Sequence, residues 1–391
     1  MIKPGPSIAR PRVCSRQGTV LRIEPSSTSI ESVEVSAYTI PTDAPEGDGT
    51  LMWDSTTLIL CEVSASGRTG LGYSYGAAAT AHAAHHLGSK CLHNRSPLDI
   101  PLLHASMLQQ ARNDGSSGIA SMAISALDIA LWDLKAKLFD CSVLDLLGAA
   151  RASVPAYGSG GFTTYTNQQL AAQMSGWAAS GLKRVKMKIG QHPEDDPQRV
   201  RVAREAIGPE VELFVDANGA FNAREAIAFA DKVDQFRVTW FEEPVSSDNL
   251  NGLRRVRDRA PAAMEIAAGE YGYDSLYFRR MLEAEAVDVL QLDATRCKGF
   301  TGFLEGAAIA ASFGCPTSAH CAPSLHMHIC CAIPGVRHVE YFHDHARIEQ
   351  MLFDGFIAPE QGDLKPDRSR PGLGLEFKRK DAERYLTWRS K

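Results

Sequence analysis

From about residue 153 to the early 340s the chain repeats one pattern eight times: a short apolar run, then a longer stretch with helical spacing. The strand candidates are 153–157, 184–189, 211–216, 238–242, 264–268, 287–292, 316–319 and 338–342. Helices are predicted between them, for example over 168–180, 193–207, 222–235 and 300–312. Asn222 with Glu225 three positions on reads as a reciprocal N-terminal cap, and Gly208 as a helix stop. Strands that alternate with helices pair in parallel, and eight in one run argue for a closed α/β barrel. An open doubly wound sheet is the alternative, but no GxGxxG follows the first strand to support it.

The part before residue 150 lacks that alternation. Val33–Ile40 and Thr56–Val63 read as strands. Between them Pro41–Gly49 reads as a mobile, acidic Gly/Pro-rich loop. Residues 77–113 look helical, and Ser117–Phe139 reads as a stronger helix with Ile119, Met122, Ala123, Leu127, Ala130, Leu131 and Leu134 on one core-facing stripe. Residues 1–150 are therefore taken as a separate α+β domain and 151–364 as the barrel, with the polar tail 365–391 returning to the first domain.

A chain of 391 residues with 44% apolar and 22% charged residues suits a soluble protein with a large core. A net charge of −5 gives no nucleic-acid footprint, and no apolar run is long enough to span a bilayer. Met1–Thr19 carries Arg10, Arg12 and Arg16 among prolines and lacks the apolar core of a secretion signal. Nine cysteines without a CxxC pair, Cys330 and Cys331 adjacent on an expected helix, fit reduced thiols in a cytoplasm.

Three carboxylates stand at the ends of three consecutive strand candidates: Asp216, Glu242 and Glu270. The steps between them are 26 and 28 positions, about one strand–helix–strand unit. Neighbouring parallel strands would aim all three at one point, where they repel unless a hard cation lies between them; Mg²⁺ suits such oxygen ligands. On the second strand, alternation puts Lys186 and Lys188 on one face, where two ammonium groups would depress each other's pKa and make a usable base. Asp293 and His320 end the sixth and seventh strands, as an orienting carboxylate and its imidazole would; Glu340 lies on the eighth.

Together, Lys186-Met-Lys188, Asp216-Ala-Asn218, Phe241-Glu242-Glu-Pro244, Gly269-Glu270, Asp293 and His320 make the chain resemble the enolase superfamily, in its mandelate racemase-like subgroup. The resemblance covers nearly the whole chain. It implies an α+β capping domain and a (β/α)7β modified TIM barrel. It further implies that Asp216, Glu242 and Glu270 bind Mg²⁺, that Lys188 is the base on one substrate face with Lys186 supporting it, and that His320 with Asp293 is the acid/base on the other. Glu340 would donate to the substrate carboxylate and Asn218 would contact substrate. A lysine or histidine base working beside Mg²⁺ is how the sites of this superfamily form and stabilise an enediolate.

Weaker candidates surround these. Ser159 and Trp53 are further substrate contacts, whereas Tyr73 and Tyr75 read as core. Glu243 reads as support behind the ligands rather than a ligand. His326 and His328 would face different sides of a helix, against a zinc site. His343, Asp344 and His345 either line the site or form a solvated loop. The leading function is Mg²⁺-dependent dehydration of a sugar acid to a 2-keto-3-deoxy acid through an enediolate. The rival is a racemase or epimerase of a 2-hydroxy acid with nearly the same residues, and the third reading is a non-catalytic barrel scaffold. The partners expected are a small-molecule carboxylate and further copies of the chain in a homo-oligomer, with neither nucleic acid nor membrane.

Overall fold

The computed structural model describes residues 28–390, so the arginine-bearing start of the chain lies outside the described residues. Three antiparallel strands open it: β1 (Ser32–Gly47), β2 (Met52–Ala65) and β3 (Arg68–Tyr75). Ser66 and Gly67, both at positive φ, make the tight turn between β2 and β3. Three helices follow: α1 (Ala79–Cys91), α2 (Ile100–Gln110) and α3 (Ile119–Leu138). A C-terminal strand, Leu386–Arg389, joins this sheet at the free edge of β1.

The stripe expected on α3 is a full cylinder. Ala126, Leu127, Ala130, Leu131 and Leu134 are buried, and so are Ser125, Asp128 and Asp133 on other faces, whereas Ile119 is exposed. One side of the helix lies against β3, where a Cβ on Gly70 or Gly72 would come within 2.2 Å of Ala130 O or 2.3 Å of Ala126 O. Glycine there lets the helix backbone touch the strand. The opposite side binds the barrel: Asp128 accepts from Thr301 Oγ1 at 2.6 Å, and Ser125 Oγ accepts from Lys298 N at 2.8 Å.

After the short α4 (Val143–Leu147), eight strands form the barrel: β4 (Val154–Gly160), β5 (Arg184–Lys188), β6 (Glu212–Asp216), β7 (Val238–Glu242), β8 (Glu265–Ala268), β9 (Val289–Leu292), β10 (Thr317–Ala319) and β11 (Val336–Phe342). Each pairs in parallel with the next, and β11 pairs back with β4, so the ring closes. The intervening helices are α5 (Asn167–Ala179), α6 (Asp196–Ile207), α7 (Ala223–Val233), α8 (Leu250–Arg257), α9 (Ser275–Glu283), α10 (Gly299–Ser312) and α11 (Pro323–Ala332); α12 (His343–Leu352) follows the last strand. The reciprocal cap between Asn222 and Glu225 opens α7, and Gly208 ends α6 at φ +73°.

Inside the barrel, two-residue periodicity separates two layers. Tyr157, Phe214, Trp240, Ala267 and Val289 form a dry plug, with Phe214 stacked on Trp240 at 5.1 Å. One alternation step toward the C-terminal ends of β6 and β7 stand Asp216 and Glu242. The plug thus forms the floor of a charged layer, which opens where the active sites of such barrels lie.

The segment expected to be a mobile loop is corrected by the structure. β1 runs on through it, with an irregularity between Pro41 and Glu46, and pairs Glu46 with Trp53 and Gly47 with Met52 on β2. The reason is docking. Thr163 N donates to Gly47 O at 2.9 Å, Thr164 Oγ1 to Pro45 O at 2.6 Å, and Trp53 Nε1 to the buried Glu46 at 2.8 Å. Gly49, at the tip of this arm, lies against Ala217 O and Ile189 O, just past the ends of β6 and β5. The arm therefore covers the C-terminal mouth of the barrel.

Candidate active site

Asp216, Glu242 and Glu270 each bring a carboxylate oxygen to within 4.8 Å of the other two. All three are buried, and Glu270 Oε2 faces His320 Nε2 at 3.2 Å. Three hard oxygen donors gathered in a buried pocket are the donor set that Mg²⁺ accepts, with positions left for other oxygens. The fit is carried by this chain's own geometry.

The lysine pair lies beside these acids. Lys186 Nζ is 2.5 Å from Glu242 Oε1, 2.9 Å from Glu340 Oε1 and 3.5 Å from Asp216 Oδ2. Lys188 Nζ is 2.5 Å from Asp216 Oδ2. Lys186 does lower Lys188, as two neighbouring ammonium groups must, but the carboxylates around them outweigh that depression. Burial opposes both charges, yet Asp216 beside Lys188, and Glu242 and Glu340 beside Lys186, outweigh it, so both lysines lie above the ordinary range. Against the burial that would raise it, Lys186 holds Glu340 below the ordinary carboxylate range. The other oxygen of Glu340, Oε2, accepts Cys321 N–H at 3.1 Å.

Around the ring, His320 Nδ1 bonds Asp293 Oδ2 at 2.7 Å, while Thr295 N and Oγ1 both donate to Asp293 Oδ1 at 2.7 Å. Burial works against the Asp293 anion, but the bond and charge of His320 win and bring its carboxyl down to about 2. His320 is raised well above the ordinary imidazole value: burial lowers it, and Cys321, Glu270 and Glu340 outweigh that.

Lys188, Asn218, Glu270, His320, Glu340 and Trp53 line one cavity of about 380 Å³ under the arm. Asn218 sits at φ +46°, with its side-chain Oδ1 buried and unpartnered. Ser159, like Lys186 opposite it in β5, is fully buried and not among the residues lining the cavity. It stands near the C-terminal end of β4, between β5 and β11. Tyr73 and Tyr75 are buried as expected. Of the three residues after the last barrel strand, His345 lines the cavity, stacked on Tyr75 at 3.5 Å; His343 instead pairs with Asp43 of the arm at 2.9 Å, and Asp344 with Arg347 at 2.5 Å. Glu243, buried at φ +37°, lines a neighbouring cavity.

Sequence reasoning missed Arg296, Cys321 and Glu46, and weighed His326 only against a zinc site. Arg296 enters the cavity, 3.2 Å from Glu270 and 3.6 Å from Asp293, with its guanidinium over Tyr271. Its position three after Asp293 was the available signal. Cys321 lies beside His320 in the cavity wall. His326 accepts Ala294 N–H at 2.9 Å through Nε2 and bonds Cys321 O at 2.8 Å through Nδ1, tying the ends of β9 and β10 together. His328 turns to Leu373 O instead, so the two histidines part as expected. Glu46 is fully buried in the arm; burial and the neighbouring Asp344 push its carboxyl up to about 8.

A capped barrel with this mouth belongs to the metal-dependent lyases and racemases. Residues 169–382 match the model described as enolase C-terminal domain-like, and residues 48–148 match the N-terminal domain of mandelate racemase/muconate lactonizing enzyme. The chain belongs to that family, within the enolase superfamily. The D-galactarolactone cycloisomerase of Agrobacterium fabrum is 33% identical over 277 residues, covering 70% of this chain and 73% of that one. The L-talarate/galactarate dehydratase of Salmonella typhimurium is 31% identical over 325 residues, 80% and 81% of the two chains. Its crystal structure with Mg and L-lyxarohydroxamate superposes with a TM-score of 0.86 at 28% identity, covering 95% and 97%. A mandelate racemase/muconate lactonizing enzyme-like protein from Rubrobacter xylanophilus is 49% identical, with a TM-score of 0.88, over 92% of this chain and all of that one. No helix among the described residues is long and apolar enough to cross a membrane.

Proposed function

We propose that this enzyme dehydrates a sugar acid, removing the proton α to its carboxylate and expelling the β-hydroxyl to give a 2-keto-3-deoxy acid. The observation that carries the reading is the composition of one cavity wall. Lys188 and His320 reach it from β5 and the end of β10, strands separated by β11 and β4 in the ring, while Ser55, Thr56, Thr57 and Asn218 offer partners for hydroxyl groups. The dehydratase from Salmonella, a relative along four-fifths of this chain, supports the same class of substrate.

Asp216, Glu242 and Glu270 hold Mg²⁺ in this reading. An ion held there would supply positive charge beside the substrate carboxylate, where enediolate charge develops. With Asp216 engaged by the metal, Lys188 would lose the partner that holds its proton and, as the neutral amine, take the α-proton, while Lys186 adds a fixed positive charge beneath the carboxylate. His320, kept protonated on Nε2 and oriented through Nδ1 by Asp293, gives a proton to the departing hydroxyl. The enol then tautomerises. Trp53 and the arm exclude water from above.

A racemase would use the same two groups on opposite faces and return a proton to C2. Product analysis in D₂O separates the two across a panel of mono- and diacid sugars. Loss of water with deuterium at C3 is the expected result. An unchanged formula with deuterium at C2 would replace the dehydratase by an epimerase.

A further inference from the structure

Beside the three hard carboxylates the same cavity holds a softer donor set. His320 Nε2 lies 3.2 Å from Cys321 Sγ and 3.8 Å from Glu340 Oε2, and Sγ lies 3.6 Å from that oxygen. A tetrahedral zinc ion bound at about 2.3 Å to sulfur and about 2.0–2.1 Å to nitrogen or oxygen needs donors roughly 3.3–3.6 Å apart. The three sides of this triangle bracket that spacing without rearrangement of the backbone.

Two further observations separate the triad from a chance cluster. His320 and Cys321 follow directly on β10, and extended backbone carried on past Ala319 would send adjacent side chains to opposite sides. Positive φ at Cys321 (54°) and Ala322 (38°) turns the chain instead and leaves both side chains on the cavity wall. In addition, Asp293 holds His320 by Nδ1, which leaves Nε2 as the outward nitrogen. A histidine anchored through one nitrogen by a carboxylate is oriented to bind metal with the other. Lys186 occupies Glu340 Oε1 at 2.9 Å and leaves Oε2 for the triad.

We propose that His320, Cys321 and Glu340 form a second metal site, for a thiophilic divalent ion of the zinc class, whose occupation shuts the enzyme. Thiolate and imidazole select such ions, as the all-carboxylate set selects Mg²⁺. Binding replaces the thiol proton of Cys321, and any proton on Nε2, which pass to water; the ion takes their place with no change of oxidation state. Glu270 Oε2 also lies 3.2 Å from Nε2, so an ion here competes for a carboxylate of the hard set. The inhibitory half of the proposal rests on the reading of His320 as the acid; the binding half does not.

Co²⁺ titration of the full-length protein followed by near-ultraviolet absorption tests the binding half. A thiolate-to-cobalt charge-transfer band should appear in wild type, persist in Asp216→Asn, and vanish in Cys321→Ser. Affinity should fall at least about tenfold, the lower end of what losing even an outer partner of a metal site costs. Glu340→Gln, which keeps the thiol, should weaken Co²⁺ binding by a similar factor and guards against a misfolded cysteine variant. A band undiminished in Cys321→Ser, or equal affinity in wild type and Glu340→Gln, would overturn the site. Zn²⁺ added to the Mg²⁺-loaded enzyme should stop turnover reversibly by chelation. Equal sensitivity in wild type and Cys321→Ser would overturn the inhibition while leaving the absorption result to decide binding.

Discussion

Gly49→Ala tests whether the β1–β2 arm closes the site. A Cβ at Gly49 would stand 2.3 Å from Ala217 O, 2.6 Å from Ile189 O and 2.9 Å from Ala220 Cβ. An ordinary carbon–oxygen approach is about 3.3 Å or more. The first two obstacles are backbone carbonyls next to Asp216 and Lys188, held by the ends of β6 and β5, and cannot swing aside. The tip must therefore retreat by about 1 Å, and overpacking of this kind costs about 1–3 kcal/mol. That cost falls on the docked arm and lowers its docking equilibrium constant by about 5- to 150-fold. Asp48, Leu51 and Trp53 travel with the tip and line the cavity. The expected result is a fall in kcat/KM of more than twofold and up to that factor, with little change in the urea midpoint. Mg²⁺ affinity, measured by calorimetry, should hold, since no carboxylate of the hard set is on the arm. A kcat/KM within about twofold of wild type, or a loss of Mg²⁺ affinity equal to the loss of activity, would refute the argument.

Three other outcomes are expected. Asp216→Asn should weaken Mg²⁺ binding by at least about tenfold and abolish turnover with an unchanged circular dichroism spectrum; retention of stoichiometric tight Mg²⁺ binding would remove Asp216 from the site. Lys188→Ala and His320→Asn should both stop dehydration, and at most one should still exchange the substrate α-proton with D₂O by NMR. Exchange at wild-type rates in both would deny either group its place. Asp128 is buried between α3 and α10, and burial, opposed by hydrogen bonds from Thr301, raises its carboxyl from 3.8 to about 7. The folded chain thus keeps a proton that the unfolded chain releases. This contribution is full below about pH 4 and is lost as pH rises to about 7, by at most about 4 kcal/mol. Asp128→Asn should flatten that part of the urea-midpoint profile, and a profile parallel to wild type would show that Asp128 does not titrate there.

Local pattern determined the barrel. Each strand is a short apolar run, its period of two sends alternate side chains inward, and each helix carries its own stop and start signals; Asn222 with Glu225 and Gly208 act within a few residues of themselves. Asp216, Glu242, Glu270, Lys188 and His320 were legible because closing a parallel barrel necessarily brings strand ends together. Pro41–Gly49 was not, since its composition favours a loop and only docking on Thr163, Thr164 and the barrel mouth draws it into β1. The mutual depression of the lysines was legible, but not the net sign, because five carboxylates and four cationic side chains share the folded pocket and their distances decide it. Arg296 and Cys321 belong to the same category. Whether a side chain at a strand end lines a cavity or lies behind it depends on backbone turns such as φ +54° at Cys321, and such turns are set by neighbours far apart in sequence. The sequence alone determined which residue types meet at the mouth of the barrel. Tertiary structure decided which of them touch, because electrostatic and coordination energies change over fractions of an ångström, a scale that spacing along the chain does not encode.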